Sequence, residues 1–80
     1  MDYKKLSQDI ITNVGGVDNV SILSHCMTRL RFNLKDVSKA NKEALENLEG
    51  VIGVVYAGGQ YMVSLGQHLI QTYDEFMKEY

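Results

Sequence analysis

The chain has 80 residues, 45% hydrophobic and 22% charged, with a formal net charge of −2 at pH 7. At ~100–150 residues per typical domain, residues 1–80 make one small domain with a thin core, too apolar for a disordered tail. A single cysteine excludes an internal disulfide framework, and with only two histidines beside it a structural zinc site within one chain is not expected. The acidic balance argues against nucleic acid as the main partner.

No stretch reaches the ~18 apolar residues of a membrane span. Met1-Asp2-Tyr3-Lys4-Lys5 lacks the apolar core of a signal peptide, so a cytoplasmic location is expected. Nothing in the residues asks for a cofactor or a metal.

Asp2 to Val14 reads as a helix. Asp2 is its N-cap, and Leu6, Ile10 and Val14 form an apolar stripe with Tyr3 alongside. Gly15 stands where a C′ glycine ends a helix, and Val17-Asp18-Asn19 turns the chain. Val20 to His25 reads as a strand. Arg29 to Lys35 is a clearer one, because Leu30, Phe32 and Leu34 alternate with Arg29, Arg31, Asn33 and Lys35. Between them runs a short link, His25-Cys26-Met27-Thr28.

A second helix follows, capped by Ser38 or Asn41 and ended by Gly50. It carries an apolar stripe of Ala44, Leu45 and Leu48. Lys39–Glu43 and Lys42–Glu46 are spaced for charge pairs of ~0.2–0.5 kcal/mol each. Val51–Ala57 is strand-like, Gly58-Gly59 signals a two-residue hairpin, and Gln60–Leu65 alternates with Tyr61, Val63 and Leu65 on one face. Tyr56 and Tyr61 flank that turn as a cross-strand pair. The last helix runs from His68 to about Lys78, with Leu69, Ile70, Tyr73, Phe76, Met77 and Tyr80 as its apolar set.

The order α-β-β-α-β-β-α predicts an α+β two-layer sandwich. Two hairpins form a four-stranded, mainly antiparallel sheet with three helices on one face.

The charge map points to a site. Arg29 and Arg31 are the only arginines, three and five residues after the only cysteine, Cys26, and no acidic residue occurs from Asn19 to Lys35. Nearby cations favour the thiolate, the reactive form of a thiol. Two arginines on one strand face make a multi-donor clamp suited to phosphate oxygens. Thr28 adds a hydroxyl, and backbone N–H groups of Met27, Thr28 and Arg29 form an anion nest if the loop curls. The plainer alternative is a small core cysteine beside two solvated arginines. His-Cys followed by arginine also suggests the cysteine-phosphatase loop. That loop needs arginine six positions after the cysteine, where Phe32 stands, and it opens onto a helix, so a phosphatase is set aside.

Val14-Gly15-Gly16-Val17-Asp18-Asn19 and His25-Cys26-Met27-Thr28-Arg29-Leu30-Arg31-Phe32 resemble the enzyme IIB domain of the bacterial phosphotransferase system, glucose/sucrose/β-glucoside type. The similarity continues through Lys35-Asp36, Gly50-Val51 and Ala57-Gly58-Gly59-Gln60 to Gly66. The His-Cys pair and the Gly-Gly-Gln turn are most similar to the β-glucoside branch. The resemblance implies a phosphotransferase in which Cys26 takes a phosphoryl group from the phosphohistidine of enzyme IIA. Cys26 then passes it to a sugar held by the membrane domain IIC, at the inner face of the cell membrane. It matches Arg29 and Arg31 to the two arginines needed for onward transfer, and Thr28 to the motif threonine.

Met27 then reads either as part of an apolar rim for these partners or as a loop residue without a role. His25 reads either as a hydrogen-bond donor to the phosphoryl group or as a strand-end histidine facing solvent. Two alternatives remain: a small RNA-binding module using Arg29, Arg31 and Lys35 beside Phe32, and a regulatory phosphocysteine domain without a channel. Alternation puts Phe32 opposite the arginines, which weighs against the first.

Overall fold

In the computed structural model, which describes residues 1–80, Asp2 opens the first helix by accepting the Lys5 N–H at 3.0 Å. Helix α1 spans Tyr3–Asn13 and buries Leu6, Ile10 and Ile11, with Val14 buried just past its end. It ends in two closing hydrogen bonds, Gly16 N–H to the Ile11 carbonyl and Gly15 N–H to that of Thr12. Gly15 has φ +104, which L side chains rarely adopt.

A 3-10 turn, Val17–Asn19, delivers the chain to β1, Val20–Cys26. Asn19 does more than turn the chain. Its side chain is almost fully buried, donates to the carbonyls of Val14 and Asp36, and accepts the Asp36 N–H at 2.9 Å. One amide thus ties the end of α1 to the chain leaving the second strand.

Strand β2, Arg29–Leu34, pairs antiparallel with β1, and a bulge falls between Val20 and Ile22. Residues 37–50 differ from the expected single helix. Asp36 caps a 3-10 turn, Val37–Lys39, and Asn41 caps a separate five-residue helix α2, Lys42–Glu46. Ser38 caps nothing, and the pairs Lys39–Glu43 and Lys42–Glu46 do not form. The ion pairs of the molecule are Lys4–Glu79, Lys5–Asp9 and Lys78–Glu75. On so short a helix, long exposed side chains gain too little to be held.

Strands β3, Gly53–Ala57, and β4, Gln60–Ser64, form the second hairpin across Gly58 and Gly59, whose φ values are +59 and +78. Tyr56 and Tyr61 are direct partners, ring centroids 4.8 Å apart. After a 3-10 turn, Gly66–His68, helix α3 spans Leu69–Glu79. Of its expected apolar set, Leu69 and Phe76 are buried, while Ile70, Met77 and Tyr80 stay exposed. Thr72 is buried instead, its hydroxyl bonded to the His68 carbonyl at 2.7 Å.

The sheet order is β1-β2-β4-β3, antiparallel throughout. Leu30, Phe32, Val54 and Val63 face the helices and share one core with Leu6, Ile10, Leu45, Leu69 and Phe76. Phe32 meets Phe76 edge-on at 5.9 Å. The helices cover one face, and the other face of the sheet is open.

Candidate active site

Cys26 is not in the connecting loop, where the sequence suggested it, but is the last residue of β1, opposite Arg29. The β1–β2 turn is therefore only Met27 and Thr28. Directly opposed residues of an antiparallel pair project from the same face, with Cβ atoms ~4.5–5.5 Å apart. Arg31, opposite Ser24, projects from that face as well, and Leu30 and Phe32 alternate to the core, both 0% exposed. The strand pairing thus sets a free, exposed thiol beside two guanidinium groups on the open face. Cys26, Met27, Thr28, Arg29 and Arg31 line one surface depression.

The electrostatics of this corner are simple. Neither arginine has a carboxylate partner, since all ion pairs lie on α1 and α3. The four strands contain no Asp or Glu at all, and Arg29 and Arg31 are their only charged residues. The Nε–H of Arg31 is buried and has no hydrogen-bond partner. An unpaired buried donor beside an unpaired cation is a ready place for an anion's oxygens. Two guanidinium forks and a nucleophilic sulfur within one depression suit group transfer of an oxyanion.

The turn itself is unusual. Met27 has φ +56 and is 90% exposed. That conformation costs an L residue ~1–2 kcal/mol. Next to it the carbonyl of Thr28 accepts two N–H groups from the β4–α3 junction, Leu65 at 2.8 Å and Gly66 at 3.3 Å. The sequence offered no sign of this tie beyond Gly66 itself.

Other residues weighed from sequence lie elsewhere. His25 projects from the opposite face to Cys26, and its ring meets Tyr73 edge-on at 4.5 Å. It does not donate toward the thiol; it is exposed at the end of β1, as a strand-end histidine would be, with its ring leaning on Tyr73. His68 is hydrogen-bonded through Nδ1 to the Tyr3 hydroxyl at 2.8 Å. Phe32 is enclosed, so no aromatic platform for nucleobases accompanies the arginines. No group of three or more His, Cys, Asp or Glu side chains comes together that could hold a metal ion, and no helix is long and apolar enough to cross a membrane.

Comparison with known proteins adds to this geometry. The family model described as "phosphotransferase system, EIIB" matches residues 8–41. The chain is 46% identical over 78 residues to the PTS system beta-glucoside-specific EIIBCA component of Halalkalibacterium halodurans, covering 98% of this chain and 12% of that protein. It is 40% identical over 80 residues to the PTS system sucrose-specific EIIBC component of Bacillus subtilis, covering 99% of this chain and 17% of that protein. It therefore spans roughly an eighth to a sixth of the length of these two curated relatives. Among solved structures it is similar to one domain of the PTS system IIabc component from Clostridium difficile. The TM-score is 0.88 and the identity 35%, over 96% of this chain and 81% of that one.

Proposed function

This chain belongs to the EIIB family of the phosphotransferase system, and on that premise we propose that it is a phosphoryl-relay domain whose acceptor is Cys26. The observation that carries the reading is the cross-strand pairing of the exposed Cys26 with Arg29, with Arg31 next on the same face and neither arginine ion-paired.

In the first step the Cys26 sulfur attacks the phosphorus of a phosphohistidine on enzyme IIA. The S–P bond forms, the N–P bond breaks, and the imidazole leaves and takes up a proton. In the second step a sugar hydroxyl held by the membrane domain IIC attacks the same phosphorus. The O–P bond forms, the hydroxyl gives up its proton, and the thiolate leaves. A thiolate serves both as nucleophile and as leaving group, which a relay needs. The protein's share is positioning and charge stabilisation. Arg29 and Arg31 hold the equatorial oxygens, and Thr28 lines the same depression. Residues 1–80 act as one such unit, at the inner face of the membrane when joined or docked to IIC.

An exposed thiol suits this scheme, because donor and acceptor must reach it in turn. The names of the relatives support a β-glucoside or a related disaccharide as the sugar, with identity higher to the β-glucoside relative than to the sucrose one. The test supplies the purified chain to membrane vesicles bearing IIC of either type, with the upstream phosphotransferase proteins and phosphoenolpyruvate. Phosphorylation of a β-glucoside that needs the added chain supports the reading. Absence of sugar phosphate with both vesicle types contradicts it.

A further inference from the structure

The turn that carries Cys26 holds a bulky residue in a left-handed conformation, and its side chain does not account for it. Met27 is 90% exposed, so packing cannot hold its backbone at φ +56. A two-residue hairpin turn calls for positive φ at its first position, and a residue other than glycine persists there only when the chain on both sides dictates it. On one side, Cys26 is fixed by pairing with Arg29. On the other, the Thr28 carbonyl is fixed by the N–H groups of Leu65 and Gly66.

Gly66 is shaped for that task. Its own φ is +54, and a Cβ there would lie 2.8 Å from Cδ1 of Ile52. No other residue fits without strain or a shift of its neighbour. Its N–H can reach Thr28 because the backbone turns at this point.

We propose that Gly66 is a positioning residue for the phosphoryl-bearing turn, acting through the Thr28 carbonyl. The inference rests on the relay reading above. The junction holds one end of the turn against the body of the sheet and keeps Met27 in its left-handed state. The thiol thereby stays in register with Arg29 and Arg31 while large partners dock and leave. Without the clamp, Met27 relaxes to negative φ and the end of β1 rotates away from the arginines.

Two readouts on the full chain test this. The first is the intraresidue amide–Hα NOE of Met27, which is strong at positive φ. The second is the rate of phosphoryl uptake from phosphorylated IIA. Gly66→Ala weakens the NOE and slows uptake by about 10²-fold, the scale of an ~1 Å misplacement. A glycine at position 27 is at ease at positive φ, so in a Met27→Gly background the same Gly66→Ala change slows uptake less than ~3-fold. A purely structural role for Gly66 predicts no such rescue. Should Gly66→Ala fail to fold, Gly66→Ala with Ile52→Ala removes the close contact and is measured instead. An unchanged Met27 NOE in the folded variant overturns the proposal, as does an equal penalty in both backgrounds. If the wild-type chain takes no phosphoryl group from any IIA, the relay reading fails, and the NOE comparison alone decides whether Gly66 sets the turn.

Discussion

Cys26 and Arg29 face each other across the first rung of a hairpin, with only Met27 and Thr28 between them. This makes thiol and guanidinium neighbours through backbone pairing and leaves both exposed. Arg31 follows two residues along on the same face.

Arg31→Gln and Arg29→Gln should keep the fold and impair transfer to sugar. Loss of one preorganised donor costs on the order of 10²–10³-fold in other group transfers. Arg31→Lys keeps the charge but not the planar fork, and should recover only part of the rate. Sugar phosphorylation assayed alongside loading of Cys26 checks this. Unchanged rates in both glutamine variants would remove the clamp from the mechanism.

Asn19→Ala should destabilise the protein by about 2–3 kcal/mol, because it leaves the Val14 and Asp36 carbonyls and the Asp36 N–H to find other partners. Each kcal/mol is about 4–8 °C in Tm for a chain of this size. Asn19→Asp, close in shape, should be no better, since it sets oxygen lone pairs against two carbonyls. Thermal unfolding of the two variants distinguishes these outcomes from a residue that merely turns the chain.

Gly15→Ala should cost far more than Gly58→Ala. Both glycines have positive φ. A Cβ at Gly15, however, would lie 2.6 Å from Asn19 Nδ2 and 2.8 Å from Lys39 Cβ, while Gly58 has open space. Equal losses of Tm would mean that backbone conformation alone sets the cost.

Alternation made β2 and its two faces legible, since Leu30 and Phe32 are enclosed and Arg29 and Arg31 are not. The Gly58-Gly59 hairpin was legible because its geometry demands positive φ. The first hairpin was legible as two strands with a short link, but its exact turn was not, because Met27-Thr28 has none of the usual turn residues and is held from outside by Leu65 and Gly66. Cys26 consequently read as part of a loop. Thr72 was missed among apolar neighbours because a hydroxyl that bonds the preceding turn of its helix can be buried at little cost. The strand order was not written locally either. Placing β4 beside β2 depends on contacts distant in sequence.

Asp36 gives the molecule an acid-sensitive cap. The side-chain and backbone hydrogen bonds from Ser38, at 2.6 and 3.0 Å, hold its carboxyl below its ordinary range. A group with a lowered folded pKa contributes stability above its unfolded pKa, and that stability is lost as pH falls through the folded value. The stability gap between wild type and Asp36→Ala should therefore be widest near neutrality and narrow below about pH 4. Denaturant titrations at several pH values check it. A gap independent of pH would mean that the cap's charge is immaterial.

The most direct test of the central claim is the intact mass of the chain after incubation with phosphoenolpyruvate, enzyme I, the histidine phosphocarrier and a matching IIA. The account predicts the added mass of one phosphoryl group on the wild type and none on a folded Cys26→Ser variant. An equal gain on the serine variant would contradict the assigned nucleophile. No gain from any of a panel of phosphorylated IIA proteins would contradict the relay itself.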